Sequence, residues 1–312
     1  MGDELFDVRN SLVVGNFHQA IAEGSNAKTV AKKPDDIAAF NVDRDALVAR
    51  AQIGLGQFDP VIAELRNASH STLVAVRQYA EFSRDIASGG DGSEALGKLV
   101  DAAGDVAGSK ADAAVLAIAA LIQSRDLSSA LRLANKWTTA LDAQAYVRQV
   151  IELRALTADA LLRLQRPELA EKEVQLMKTL DDEATLTILT AGLVALRQGP
   201  AKRAKFDEAA QNFQEVSSRC GSSVLAMNLL ALANLGRGRV ADSEKNVLDA
   251  LSKKSGDAET TANVVVVAAQ AGKPLEQVQR LANQAKNVAG SNWAKTYNAM
   301  EDRFREAAAQ LA

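Results

Sequence analysis

The chain has 312 residues, of which 47% are hydrophobic and 24% are charged, and this apolar content suits a packed core and excludes wholesale disorder. Its 36 Lys and Arg residues nearly balance its 39 Asp and Glu residues, so the charge gives no indication of nucleic-acid binding or of polybasic membrane binding. The single cysteine, Cys220, excludes an intrachain disulfide and is typical of a reducing compartment.

Apolar residues recur at helical spacing along most of the chain. Between Val150 and Leu164 they fall on one broad face of a helix, and strong helix formers occupy the other positions. The β-branched run Val264–Val267 lies inside a longer pattern from Thr260 to Gln270, which predicts a buried helix rather than a strand. The longest apolar run, 113–122, has about half of the ~20 residues that a membrane span needs. With an acidic N-terminus unlike a signal peptide, these features predict a cytoplasmic protein.

A short unit recurs eight times along the chain. It consists of a turn residue, any residue, an aromatic or aliphatic residue, two further residues and a small residue, as in Gly15–Ala20. The copies begin at positions 15, 56, 90, 125, 165, 204, 238 and 272, with spacings of 34 to 41 residues, close to the tetratricopeptide period of ~34. Glycine suits the left-handed end of a first helix, and the small residue allows a second helix to approach it closely.

These repeats predict an all-α fold, a right-handed α-solenoid of tetratricopeptide-like hairpins. Since each hairpin leaves an apolar face open, neighbours must stack to bury it. We expect a single domain over residues 1–312, with about eight hairpins and a C-terminal capping helix at about 291–309. Ser291 is the expected N-cap of that helix.

The sequence lacks the motifs of an enzyme or of a cofactor or metal site. Two Gly-x-Gly-x-x-Ala matches, Gly90–Ala95 and Gly236–Ala241, follow predicted helices, whereas a dinucleotide loop follows a strand. They are therefore interpreted as turns. Cys220 is interpreted as a small buried thiol, and the two histidines as isolated surface residues. The basic run Lys202–Lys205 is interpreted as a solvated loop, with contact to an anionic surface as the alternative.

Two blocks of residues are similar to a known family. Asp3–Asn10 with the following Gly15-Asn16-Phe17, and Leu180–Thr187, resemble the epsilon subunits of coatomer, the COPI vesicle coat, and the similarity runs over essentially the whole chain. Segment Lys28–Phe40 departs from the family pattern in length and composition, and Val240 stands where the family often has an aromatic residue.

The resemblance implies a non-catalytic coat subunit whose curved solenoid wraps an extension of its partner, the C-terminal domain of the coatomer alpha subunit. The remaining coatomer subunits would be indirect partners. The protein would be peripheral on Golgi membranes and COPI-coated vesicles, recruited through an Arf-type GTPase that other subunits contact. It would act in Golgi-to-endoplasmic-reticulum retrieval and in transport within the Golgi.

Helix positions six residues before each turn residue are expected on the concave surface. They include Arg9, Arg50 and Arg84 in the N-terminal part, and Leu232 and Val266 in the C-terminal part. Arginines can bind carboxylates or carbonyls of an inserted segment, and apolar side chains can serve as desolvated anchors. The alternatives are that Arg50 and Arg84 face solvent and that Leu232 and Val266 belong to the core between repeats.

Helix positions ten residues before each turn provide the last candidate. Among them, Asn228 is the candidate for a polar contact with a partner's backbone. These positions carry no lysine clamp, which disfavours capture of a peptide C-terminus. The alternative function is nevertheless a general cytosolic tetratricopeptide adaptor or a co-chaperone-like peptide-binding protein.

Overall fold

The computed structural model describes residues 4–288 and 291–311, and within these ranges it contains helices and no strands. The predicted all-α class is confirmed. The described residues form one 3-10 turn, Gly108–Lys110, and seventeen α-helices: α1 (Phe6–Val13), α2 (Phe17–Asn26), α3 (Pro34–Gly54), α4 (Phe58–Glu64), α5 (Ser71–Ala87), α6 (Ser93–Ala102), α7 (Ala111–Gln123), α8 (Leu127–Ala140), α9 (Val147–Arg163), α10 (Pro167–Leu180), α11 (Thr185–Gln198), α12 (Lys205–Cys220), α13 (Val224–Gly236), α14 (Val240–Lys253), α15 (Ala258–Gln270), α16 (Leu275–Ala285) and α17 (Asn292–Leu311).

The chain divides into two compact units, unit 1 (Met1–Arg197) and unit 2 (Gln198–Ala312). In unit 1, helices pair in order along the chain as α1–α2, α3–α4, α5–α6, α7–α8 and α9–α10, and the first helices of successive pairs also pack together, α3 on α5, α5 on α7 and α7 on α9. In unit 2, α13 pairs with α14 and α15 with α16. This sequential pairing is the pattern of a helical repeat protein. The single domain over residues 1–312 stays a prediction.

Seven helix ends in the described residues share one turn. In each, a residue with positive φ follows the helix, and the next residue donates its N–H to the carbonyl oxygen five positions earlier, as from Asn16 to Ser11 at 2.8 Å. This hydrogen bond defines the Schellman motif, which favours glycine. The positive-φ residues are Gly15, Gly56, Gly89, Arg125, Gln165, Gly238 and Gly272. Arg125 and Gln165 thus adopt the backbone conformation of the glycines they replace.

Two predicted turn positions were wrong. The third turn has its positive φ at Gly89, one residue before the predicted Gly90, because two adjacent glycines leave the register undefined in the sequence. The predicted turn residue Ala204 has φ −60° and lies in the right-handed helical region. Residues 199–204 instead connect α11 to α12 as a longer loop, in which the Lys202 N–H donates to the Gln198 carbonyl oxygen at 3.0 Å.

The small and aromatic residues of the repeat unit have separate packing roles. The small residues of six copies are buried: Ala20, Ala95, Ala130, Ala170, Ala209 and Ser243. The ring of Phe17 lies against Gly54 of the next hairpin, where an added Cβ would be 2.6 Å from the ring. Phe206 lies against Gly199 and Gly236 in the same way. Phe17 and Phe206 therefore each join one hairpin to the next, which explains why α3 and α13 end in a glycine.

The predicted capping residue of the last helix is confirmed. Ser291 Oγ accepts a hydrogen bond from the Ala294 N–H at 3.0 Å, the contact expected of an N-cap side chain. Asp126, Ser223 and Asp257 cap α8, α13 and α15 by the same contact with the third residue after them.

Candidate functional site

A cavity of about 760 Å³ opens within unit 1. Its wall is formed by α1, α3, α5, α7, α9 and α11, together with Phe17 and Phe58 at the starts of α2 and α4. We call this cavity the groove. Because the first helices of successive pairs pack side by side, each contributes one face to a common wall. That wall is largely apolar, with Leu47, Val115 and Ile151 among its residues.

The positions six residues before the observed turns line the groove. Counted from the positive-φ residues of the first five turns, they are Arg9, Arg50, Ser83, Ala119 and Asp159, and all five belong to its wall. In unit 1 these positions therefore face the groove, while their contact with a partner stays a prediction. For the third turn it selects Ser83 once the register is corrected.

Arg84 consequently lies outside the wall of the groove. Its side chain is exposed, and its Nη1 lies 3.2 Å from Asp59 Oδ1 on α4. Of the three arginines chosen from the sequence, the structure places Arg9 and Arg50 in the wall of the same groove and Arg84 elsewhere on unit 1.

Arg50 forms an ion pair across the groove wall. Its Nη2 donates to Glu152 Oε2 on α9 at 2.8 Å, and its Nη1 donates to the other carboxylate oxygen at 3.4 Å. Burial lowers the pKa of Arg50, but the carboxylates of Glu152 and Asp112 outweigh it, so the pKa is raised above its ordinary value. Burial also raises the pKa of the adjacent Tyr79, more than Arg50 and a hydrogen bond with Ser83 lower it. Arg50 is thus held as a cation among partly buried neighbours.

A second group of charges surrounds Asp43 on α3. Its Oδ2 lies 3.6 Å from an Nη2 of Arg148 on α9 and 3.9 Å from an Nη2 of Arg9 on α1. Nearby, Asp112 of α7 accepts hydrogen bonds from Thr72 at 2.9 Å and from Gln149 at 3.4 Å. Asp43 therefore links the wall residues Arg9 of α1 and Arg148 of α9 through α3, and Asp112 separately links α7 to α5 and α9.

The candidates of unit 2 lie on α13 and α15. Asn228 is buried; its Nδ2 donates to Thr260 Oγ1 at 2.7 Å, and its Oδ1 accepts from Asn263 Nδ2 at 2.9 Å. Thr260 in turn donates to Asp257, the N-cap of α15, at 2.8 Å. The amide of Asn228 is therefore engaged within unit 2.

The two apolar candidates of unit 2 differ in exposure. Leu232 is half-buried, whereas Val266 is 38% exposed. Val266 is therefore the more accessible of the two to a partner.

Several groove residues were missed in the sequence. Glu152 and Asp159 are spaced as ordinary polar positions of an amphipathic helix, so only the fold reveals that they face Arg50 and the groove. Phe6 lines the groove although it is 58% exposed. Its position three residues before Arg9, on the same side of the predicted helix, was the one available signal in the sequence.

Three sequence features that bear on metal, dinucleotide and membrane binding have structural counterparts in the described residues. Residues 4–288 and 291–311 contain no group of three or more His, Cys, Asp or Glu side chains placed to hold a metal ion. Both Gly-x-Gly-x-x-Ala matches span the turn between two helices, as predicted. No helix in the described part of the chain is long and apolar enough to cross a membrane.

Comparison with known proteins identifies the family. The family model described as coatomer epsilon subunit matches residues 1–312. Coatomer subunit epsilon-2 of Oryza sativa subsp. japonica is 32% identical over 98% of this chain and 96% of its own length. Coatomer subunit epsilon-1 of Arabidopsis thaliana is 29% identical over 91% and 88%, and coatomer subunit epsilon of Dictyostelium discoideum is 23% identical over 97% and 96%. The chain therefore belongs to the coatomer epsilon subunit family, the non-catalytic epsilon subunits of the COPI coat.

Proposed function

We propose that the groove of unit 1 binds an extended segment from the C-terminal domain of the coatomer alpha subunit. The observation that carries the proposal is a groove walled by the first helices of successive hairpins in a member of the epsilon family. Such a wall offers many apolar contacts to one continuous segment, and burial of apolar surface is the dominant favourable term in most protein–protein association.

The charged side chains would set the position of the bound segment. Arg9 and Arg50 can donate to its carbonyl or carboxylate oxygens, and Asp159 can accept from its N–H groups or cations. Since their partners in the free protein are partly exposed, these side chains can exchange internal contacts for contacts with the segment at small cost.

Unit 2 would contribute a separate contact. Val266 and Leu232 supply apolar surface on neighbouring helices, which suits a second part of the same partner. Asn228 is kept as a candidate, although its internal hydrogen bonds must break before it can contact a backbone. In this proposal, Arg84 is a residue outside the groove and contributes little to binding.

The proposed cellular role follows from the partner. The protein would be held in the coatomer complex by the alpha subunit and would reach Golgi membranes and COPI-coated vesicles from the cytoplasm through the coat and its Arf-type GTPase. It would thereby support Golgi-to-endoplasmic-reticulum and intra-Golgi transport. Its own contribution would be structural.

Binding to a purified C-terminal domain of the alpha subunit tests the proposal. Phe6→Glu and Arg9→Glu each place a carboxylate on the groove wall. We expect each to raise the dissociation constant by about tenfold or more, which corresponds to a loss of about 1.4 kcal/mol in binding free energy. Arg84→Glu is the matched control, because it makes the same change outside the groove, and we expect less than about a twofold effect.

Two results would contradict the proposal. The first is the absence of a complex between the wild-type protein and the alpha-subunit domain at low micromolar concentration. The second is an equal loss of affinity in Arg84→Glu and Arg9→Glu, which would place the interface outside the groove. Binding of short C-terminal peptides in place of the alpha-subunit domain would instead indicate a general peptide adaptor.

A further inference from the structure

Two ion pairs join α3 to α9. Arg50 pairs with Glu152 at 2.8 Å, and Asp43 pairs with Arg148 at 3.6 Å. The partners on α3 are seven residues apart and those on α9 are four apart, so on each helix both side chains lie on one face. The two pairs therefore form consecutive rungs between the same two helices.

The position of these rungs distinguishes them from the other ion pairs described in unit 1. Helices α3 and α9 belong to the second and fifth hairpins, and the backbone path between them runs through α5 and α7, which pack in sequence. By comparison, Arg154–Glu173 joins α9 to α10 and Arg84–Asp59 joins α5 to α4. Helix packing joins α3 to α5, α5 to α7 and α7 to α9. The two rungs join α3 directly to α9, so that the four helices form a closed ring, which we call the circuit.

The circuit lies at the groove itself. Arg50, Arg148 and Glu152 are all part of the groove wall, so a segment placed in the groove lies against the rungs. The ion-paired side chains are between 27% and 50% exposed. Contacts of this kind between long, partly solvated side chains break and re-form readily, unlike the packed core of the hairpins.

We propose that Arg50–Glu152 and Asp43–Arg148 form a strap that holds α3 to α9 in the free protein and must open before an extended partner segment enters the groove. This inference rests on the proposed function for the identity of the segment, which comes from the C-terminal domain of the alpha subunit. The strap itself is a property of the free protein. It slows association, and its opening frees Arg50 to contact the segment.

The first experiment uses the free full-length protein. Spin labels at Ala39→Cys on α3 and Arg163→Cys on α9, in a Cys220→Ser background, report the distance between the two helices by pulsed electron resonance. We expect a narrow distribution that becomes broader or longer when Asp43→Asn and Glu152→Gln remove both rungs without changing side-chain size. Glu94→Gln removes an exposed pair within α6 and is the matched control. An unchanged distribution in the double variant overturns the inference.

The second experiment measures association with the alpha-subunit domain by stopped flow. We expect the association rate constant to rise by about three- to tenfold in Asp43→Asn/Glu152→Gln, since each partly exposed pair contributes a fraction of the energy of a tenfold change. An association rate equal to or below that of Glu94→Gln overturns the strap even if the helices separate.

The two proposals fail separately. If the wild-type protein does not bind the alpha-subunit domain, the proposed function fails, while the distance measurement still decides whether the two pairs hold α3 and α9 together. Both substitutions replace partly exposed carboxylates by amides of equal size, so we expect the variants to fold, and circular dichroism checks this. Arg148→Gln, which breaks one rung at a half-exposed position, should show a smaller change in both measurements.

Discussion

The indole nitrogen of Trp137 donates a hydrogen bond to the carbonyl oxygen of Ala103 at 3.0 Å, and both residues are fully buried. Trp137 lies on α8, whereas Ala103 ends α6 of the preceding hairpin. The bond satisfies a carbonyl that α6 leaves without a helical partner, since the last carbonyls of a helix have none within it. One side chain thus supplies both apolar burial and the capping contact between two hairpins of unit 1.

Replacing Trp137 by Phe should therefore destabilise the protein. The ring remains apolar, but the Ala103 carbonyl loses its donor and a gap replaces part of the indole. An unsatisfied buried acceptor costs about 1–3 kcal/mol, and chemical denaturation should show a loss of that size. Trp293→Phe is the matched control, because Trp293 is half-buried and stacks on Tyr297 at 4.8 Å. A loss below about 0.5 kcal/mol in Trp137→Phe, which is typical of surface substitutions, would show that the capping bond is unimportant.

The raised pKa of Tyr79 predicts that the protein loses stability at alkaline pH. Burial raises the pKa of its phenol above the ordinary value of 10.0, outweighing Arg50 and the hydrogen bond with Ser83. The unfolded chain then releases the proton at a lower pH than the folded protein does. The contribution of Tyr79 to the free energy of unfolding is therefore complete below pH 10 and is lost as the pH rises through the raised pKa.

Denaturation curves between about pH 9 and 11 should show this loss in the wild-type protein and a smaller loss in Tyr79→Phe, which cannot ionise. Absorbance of tyrosinate in the folded protein should show one late-titrating phenol that disappears in the variant. Identical pH dependence in the two proteins would indicate that Tyr79 titrates in the folded protein as it does in the unfolded chain.

The fold was largely predictable from local chemistry. Glycines that end helices, small residues that follow them and an apolar stripe of helical period are all short-range signals. Arg125 and Gln165 show where these signals weaken, because only the spacing between copies placed non-glycine residues in left-handed turns. The Gly89-Gly90 pair shows their limit, since either glycine satisfies the motif.

The groove was less predictable, because its charges are matched between distant parts of the chain. Arg50 was selected by its distance from a turn, but Glu152, which holds it, is 102 residues away and has no mark of its own in the sequence. A one-residue shift at the third turn was enough to select Arg84 in place of Ser83. A helix turns by about 100° per residue, so such a shift moves a side chain from the groove to solvent.

Asn228 should be important for the stability of the protein without any partner. Asn228→Ala leaves Thr260 and Asn263 without their buried partner, and we expect a loss of about 1–3 kcal/mol in the free energy of unfolding. Asn283→Ala, at an exposed position of α16, is the control and should change stability by less than about 0.5 kcal/mol. If Asn228→Ala instead unfolds like the wild type and loses affinity for the alpha-subunit domain, its amide serves the partner.

Arg125 offers the opposite change, a substitution that should stabilise. With φ 64° it occupies the left-handed region, which costs a residue with a Cβ about 1–2 kcal/mol. Arg125→Gly removes that cost but gives the unfolded chain more conformational freedom, which opposes it by about 0.5–1 kcal/mol. We expect a net gain of up to about 1.5 kcal/mol by the balance of these effects, measured by denaturant unfolding. Arg132→Gly, the same substitution inside α8, should lose about 1 kcal/mol; losses in both variants would mean that the guanidinium of Arg125 makes a contact worth more than the backbone strain.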